Sequence, residues 1–513
     1  MGLNLASVLT DSAAREPDRT ALRFMGVELS YAQMEEASAR AATLFRESGL
    51  ERGDRVALML PNVPDFVTAY FGALRAGVTV VPFSPLLKDS EVAYILDDCE
   101  AKALIAFEDF LGPARAGAKQ AGLDRVWAST RPDGDTQGLE LFAGAVWSSE
   151  PFADTVQTEA GEVAVVLYTS GTTGAPKGAC LTHANMTLNV LAFTEVAGAV
   201  ADDVLMAALP LFHSFGQTCV MNTAFRLGAT VSLIPRFEPE PVLDAIVSDR
   251  VSIFAGVPAM YAALMAAQRQ PRDVSTLREC FGGGSGVPVE IIREFEQQFG
   301  APLFEGYGLS ETSPMACMNR IDSPLPGSIG TPLWGVEMKI VDDQLEELAP
   351  GEVGEVAIRG HCVMAGYLNR PEATAEAITE DGWLLSGDLG RMDEEGHFFI
   401  VDRKKELIIR GGENVYPREI EEVLHQHPAV AFAAVVGVED ERLGEEVAAL
   451  VQLNPGGSAE PAELIDFVKE RLAAYKYPRH LAIVDELPLG ASGKVLKKEI
   501  DTDAALQAAV PAP

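Results

Sequence analysis

The sequence predicts an α/β fold, with a large N-terminal domain of helix-covered sheets and a smaller α+β C-terminal domain. Three observations predict it. Residues 1–160 alternate strand-like and helix-like patterns, as parallel sheets covered by helices require. At 513 residues the chain is long enough to bury more than one core and to divide into domains. A run of charged residues then lies between two apolar strand-like segments, from Val401 to Pro417, and only a short strand-and-helix set follows it.

The elements follow in order. Tyr31 to Phe45 has apolar residues at helical spacing. Arg55 to Leu60 reads as a strand ended by Pro61-Asn62, Val63 to Ala76 as a helix, and Val78 to Pro82 as the next strand. Residues 111–160 are rich in Gly and Ala and carry few signals, so variable surface structure is expected there. Val163 to Tyr168 is an apolar run that reads as a buried strand. Beyond the charged run, Pro417 opens a helix from Arg418 to His427 at its first turn. A strand from Val430 to Val438, a helix from Pro461 to Leu472 and a frayed tail from Ala504 to Pro513 complete the chain. No repeat of solenoid length is visible.

Composition excludes several functions. The chain is 48% hydrophobic and 22% charged, ordinary for a globular enzyme, and its formal net charge is −35. A nucleic-acid partner needs a basic footprint, which this balance lacks. The six cysteines are scattered without a Cys-x-x-Cys pair, which reads as reduced thiols in a cytoplasm and not as a disulfide or zinc framework. Met1 to Ser7 lacks the basic start of a signal peptide, and Ala6 stands where a myristoylation signal needs Ser or Thr. With no apolar run of about 18 residues, a spanning helix is not expected, and membrane contact would be peripheral.

The chemistry concentrates after the strand ending at Tyr168. Thr169-Ser170-Gly171-Thr172-Thr173-Gly174-Ala175-Pro176-Lys177-Gly178 combines glycines, hydroxyls and a lysine, which together can cradle a phosphate. It is not a Walker A loop, because no Ser or Thr follows the lysine; an ordinary turn has the same look. His213 sits between aromatics in Leu209-Pro210-Leu211-Phe212-His213-Ser214-Phe215-Gly216, where a core or capping histidine is the common case. Ser285 in Gly282-Gly283-Gly284-Ser285-Gly286-Val287 misses the Gly-x-Ser-x-Gly elbow of a serine hydrolase. In Glu305-Gly306-Tyr307-Gly308-Leu309-Ser310-Glu311-Thr312, Tyr307 offers a flat face for a purine and Glu311 an oxygen ligand of the kind Mg²⁺ prefers. Asp388, in Ser386-Gly387-Asp388-Leu389-Gly390, can accept hydrogen bonds from two ribose hydroxyls.

The string from Tyr168 to Gly178 resembles the signature loop of the adenylate-forming superfamily, which holds acyl-CoA synthetases, adenylation domains of peptide synthetases and firefly-type luciferases. The later motifs appear in that family's order, so the resemblance covers nearly the whole chain. It implies that residues 169–174 and Lys177 hold the phosphates of ATP. It implies that Gly284, Ser285, Glu305, Gly306 and Tyr307 surround the adenine, and that Asp388 and Arg403 reach the nucleotide. Mg²⁺ falls to Thr172 and Glu311. His213 lines or gates the acyl pocket and is not the general base. The run around 403–405 resembles the family's hinge, with Lys405 as pivot, so the implied division is 1–402, a hinge at 403–405, and 406–513. Gly411 and Gly412 leave room for the pantetheine arm of coenzyme A. Lys494, in Ser492-Gly493-Lys494, matches the catalytic lysine of the first half-reaction.

The expected activity is that of a fatty acyl-CoA synthetase using ATP, Mg²⁺ and coenzyme A. Acetate-activating relatives carry a Trp near the position of Gly308, and malonate-activating ones an Arg just before the motif's Tyr. Gly308 and Gly306 therefore imply an acyl pocket that is open and lacks a counter-charge for a dicarboxylate. An aromatic-acid CoA ligase, a stand-alone enzyme loading a carrier protein, a luciferase-like oxygenase and a nucleotide-binding remnant are the alternatives. Many relatives are dimers, and a homodimer stays open.

Overall fold

The computed structural model describes all residues except 1, 153, 170–174, 269–271, 441, 455, 489–494, 501–509 and 512–513, and gives no side chains for 498, 510 and 511. Among the described residues the strands form four sheets. One eight-stranded sheet runs Gly366–Tyr367, Lys177–Thr182, Val163–Thr169, Thr79–Pro82, Arg55–Met59, Ala103–Phe107, Val126–Ser129, Glu140–Leu141. A nine-stranded sheet has at its centre Leu303–Gly308, Glu279–Gly282, Ile253–Gly256, Val204–Ala207 and Thr230–Leu233, all parallel. These central strands are apolar without alternation because helices cover both faces.

One continuous core joins the two large sheets, from Leu5 through Phe66, Phe71 and Phe225 to Phe398. The small domain has its own core, built from Ile408, Ile420, Leu424, Val435, Val447, Leu464 and Leu481. There Val430–Asp440 and Gly444–Leu453 form a long antiparallel pair, backed by helices Pro417–His425 and Pro461–Lys469. Between the two lies an antiparallel four-stranded sheet, Val336–Val341, Gly354–Gly360, Leu384–Met392, Phe398–Arg403, whose last strand leads into the small domain.

The expected elements are present, most with ends shifted by one to three residues, but of the tail expected to fray, Val510–Pro511 pairs with strand His480–Val484, while 504–509 and 512–513 lie outside the described residues. Helix 31 runs on to Glu47, closed at its start by a capping box between Ser30 and Gln33. Residues 111–148 differ from the expectation of variable surface. Leu111–Gln120, Val126–Ser129 and Phe142–Ser148 are regular, and Trp127 and Phe142 are buried against Phe45. Two large aromatics, separated by a polar loop, anchor a stretch whose small residues hide its periodicity.

One buried side chain ties the large sheets together near the site. Asn62, at the C-terminal end of strand Arg55–Met59, donates to the carbonyls of Ala207 (2.8 Å) and Leu209 (2.9 Å) and accepts from the Leu211 N–H (2.7 Å). It therefore sets the turn that delivers His213. Asn62→Ala strands three buried polar groups, and we expect a loss of about 3 kcal/mol. A lower urea midpoint is the check; an unchanged midpoint refutes the clamp.

Candidate active site

The site lies where the C-terminal ends of the nine-stranded sheet meet the small domain, the expected place for ligands in open α/β sheets. A cavity of about 260 Å³ is lined there by Gly284, Tyr307, Asp388 and Arg403 from the large domain and hinge, and by Arg418 and Lys497 from the small one. Both domains thus build one wall each.

Tyr307 ends strand Leu303–Gly308, so its ring enters the cavity beside the glycine turn. Its hydroxyl donates to Asp388 Oδ2 at 2.7 Å, and Asp388 Oδ1 pairs with Arg403 Nε at 3.1 Å. Burial and the neighbouring Asp388 push the Tyr307 hydroxyl well above its usual pKa, so it stays a donor. Gly284 has φ +79°, a left-handed conformation that favours glycine. Its Cα faces Val257, and Gly283 faces Phe215. Gly306 backs onto Met315 and Met318, so its missing side chain is replaced by thioethers. Gly308 has a different reason from the open acyl pocket expected of it. An added Cβ there would overlap the Pro314 carbonyl, so close backbone packing requires the glycine.

Glu311 meets the strand end that leads into the expected phosphate loop. Its Oε1 accepts from Thr169 Oγ1 (3.2 Å) and from the Tyr367 hydroxyl (3.0 Å), and Lys177 Nζ stands 5.2 Å from the centre of the Tyr367 ring. Ser170, Gly171, Thr172, Thr173, Gly174 and Lys494 lie outside the described residues. Val495 and Lys497, just beyond Lys494, line the cavity. Among the described residues no group of three or more His, Cys, Asp or Glu could hold a metal ion. A single carboxylate beside a phosphate loop still fits Mg²⁺, which completes its octahedron with phosphates and waters.

His213 keeps an exposed edge and does not line this cavity, yet the protein packed around it pushes its pKa down to about 4. Glu305, 2% exposed, accepts the Val287 N–H at 3.0 Å, and burial raises its carboxyl to about 7. At the hinge, Lys404 pairs with Asp343 (2.9 Å) and Glu355 (3.0 Å). Gly411 and Gly412 are exposed in the turn between strands Ile408–Arg410 and Glu413–Val415, outside the cavity.

Residues 9–368 match the family model described as "AMP-binding enzyme", and residues 419–494 match "AMP-binding enzyme C-terminal domain". The chain belongs to the AMP-binding enzyme family. A long-chain-fatty-acid–CoA ligase of Bacillus subtilis is 39% identical to it, over 97% of this chain and 94% of that protein. A feruloyl-CoA synthase of Amycolatopsis is 37% identical over 95% and 96%. The crystal structure of ATP-bound MatB from Rhodopseudomonas palustris superposes with a TM-score of 0.91 at 31% identity, covering 98% of this chain and 99% of that one. The protein is an AMP-forming acyl-CoA ligase, an enzyme class that uses ATP, Mg²⁺ and coenzyme A. Among the described residues no helix is long and apolar enough to cross a membrane.

The motifs did not expose three charged groups of the ligase's cavity wall. Asp402 holds the backbone N–H of Arg403 (2.6 Å) and of Arg418 (2.9 Å), with burial raising its carboxyl to about 6. Lys497 bridges Glu406 (2.8 Å) and Glu421 (2.7 Å). Burial opposes its charge, but the two carboxylates hold its pKa above the usual lysine value. Arg418 crosses from the small domain to the glycine turn. Signals for these lay in charge alternation, which a solvated surface shows as well.

A histidine whose folded pKa lies below its unfolded 6.5 stabilises the fold fully above pH 6.5, and that contribution is lost as pH falls towards 4. His213, and His183 with its pKa also near 4 through burial, should both behave so. Their ring NMR signals are expected to remain those of the neutral form down to about pH 5. A titration midpoint near 6.5 for His213 would contradict the enclosed site.

Proposed function

We propose that the ligase activates a medium- or long-chain fatty acid. The observation that carries this reading is the 39% identity to a long-chain-fatty-acid–CoA ligase over 97% of the chain. Apolar side chains around the glycine turn agree with it: Phe215 faces Gly283, Val257 faces Gly284, and Met315 and Met318 back Gly306. Resemblance to feruloyl-CoA synthase favours a second reading, an aromatic acid. The test compares kcat/KM for decanoate, palmitate, ferulate and benzoate. Straight chains winning by at least ~10-fold supports the proposal; ferulate winning replaces it with the second reading.

In the first step, a carboxylate oxygen attacks the α-phosphorus of ATP and the bond to the pyrophosphate oxygen breaks. Two anions must meet. Lys494 neutralises the approach, while residues 169–174 and Lys177 hold the leaving phosphates. Thr172 and Glu311 would hold Mg²⁺, which would supply charge neutralisation there, and Tyr367 and Thr169 orient the Glu311 carboxylate for it. Tyr307 stacks on adenine against Gly284 and Ser285, between Glu305 and Gly306 behind, and Asp388 with Arg403 takes the ribose and phosphate.

In the second step, the sulfur of coenzyme A attacks the acyl carbonyl and AMP leaves. Lys494 then blocks the path. The small domain, residues 406–513, turns about Lys405 in the hinge at 403–405 and brings Gly411–Gly412 to the site in its place.

Lys494→Ala is expected to lower ATP–pyrophosphate exchange at least ~100-fold and to spare thioester formation from supplied acyl-adenylate. Equal loss in both half-reactions refutes the role. Lys405→Pro should slow the thioester step more than adenylation, because the ring restricts the pivot; an unchanged ratio of the two rates counts against the hinge.

A further inference from the structure

The strongest unassigned feature is the contact that Arg418 makes across the cavity. Arg418 stands in the first turn of helix Pro417–His425, in the small domain. Its backbone N–H donates to Asp402 Oδ2 at 2.9 Å, which ties the helix start to strand Phe398–Arg403 of the large domain. Its side chain crosses to the large domain as well. Nε pairs with Glu422 at 2.9 Å, and the outer nitrogen stands 4.0 Å from Glu305 Oε1.

The guanidinium lies directly on Gly286. A Cβ added at Gly286 would overlap the guanidinium carbon and both its terminal nitrogens, and these are its nearest neighbours. The backbone at Gly286 is not left-handed, unlike that at Gly284. Any L-residue could therefore adopt it. A methyl at 286 would meet the guanidinium of the small-domain arginine first and push it off this seat.

Glu305 supplies the charge for the same contact. Its side chain is buried, Oε1 is held by Val287, and Oε2 has no hydrogen-bond partner among the described residues. A carboxylate so enclosed favours an approaching cation. Arg418 is the cation that faces it.

We infer that Arg418, seated on Gly286 and facing Glu305, is the interdomain positioning residue that holds the small domain in the adenylate-forming arrangement. The inference rests on the two-step reading above. Rotation about Lys405 must lift the guanidinium off Gly286, so the latch acts in the first half-reaction and is released for the second.

The test measures ATP–pyrophosphate exchange and thioester formation from supplied acyl-adenylate in the full-length enzyme, and takes their ratio. Arg418→Ser and Gly286→Ala should each lower the ratio at least ~10-fold, the first by removing the guanidinium and the second by displacing it. In the double variant the ratio should stay within about 2-fold of Arg418→Ser, because the guanidinium that the added methyl displaces is already gone. Arg418→Lys, which keeps charge without the planar fork, should fall between wild type and Arg418→Ser. Equal loss in both half-reactions, or effects that multiply in the double variant, overturns the latch. If Arg418→Ser fails to fold, Gly286→Ala alone decides, since its methyl meets only the end of a flexible side chain. Wild-type enzyme that exchanges pyrophosphate with no acid overturns the two-step reading and the latch with it. Wild-type exchange with unsplit variants overturns the latch alone.

Discussion

A carboxylate and a phosphate repel each other, and in the proposed mechanism the cation that joins them has to clear the path of the next nucleophile. That constraint explains why the cavity has two owners. The large domain can hold nucleotide and acid on rigid strand ends. The group that cancels charge in one step and must vanish in the next belongs on a body that can leave. The structure has the corresponding layout: Tyr307, Asp388 and the glycine turn on one wall, Val495, Lys497 and Arg418 on the other.

The chain carries a formal charge of −35, yet the wall contributed by the hinge and small domain is organised around cations. Arg403 meets Asp388, Arg418 faces Glu305, Lys497 bridges Glu406 and Glu421, and Lys404 ties the hinge to Asp343 and Glu355. Buried carboxylates such as Glu305 and Asp402, raised to about 7 and about 6 by burial, are poorly solvated when ionised. Each makes the presence of the opposite domain's donors more favourable. The pairs also carry little surplus stability, because desolvating both charges costs nearly what their attraction returns. A domain held by such contacts can be released by ligands of ordinary affinity.

Much of this was legible in the sequence where residue type alone dictates the outcome. The apolar run before Thr169 became a buried strand because nothing in it can face water. Tyr307 and Asp388, far apart in the chain and both expected at the nucleotide, meet at 2.7 Å. Legibility failed where meaning depends on three-dimensional neighbours. Gly308 looked like an absent wall and proved to be a close approach to the Pro314 carbonyl. Gly286 carried no signal of its own in the sequence, and its nearest neighbour is the guanidinium of an arginine 132 positions later in the chain. Residues 111–148 looked like variable surface because Trp127 and Phe142 do the packing that a periodic stripe does elsewhere.

The central claim is that the small domain occupies two positions, one for each half-reaction. All six cysteines are buried, so spin labels can be placed selectively at Glu372→Cys on the large domain and Glu470→Cys on the small one, both exposed. The measurement is the distance between them by pulsed electron resonance, first with ATP and then with a non-reactive acyl-adenylate analogue plus coenzyme A. Two distinct distance distributions, exchanged by the change of ligand, are the predicted result. A single distribution, the same with both ligand sets, would contradict the account.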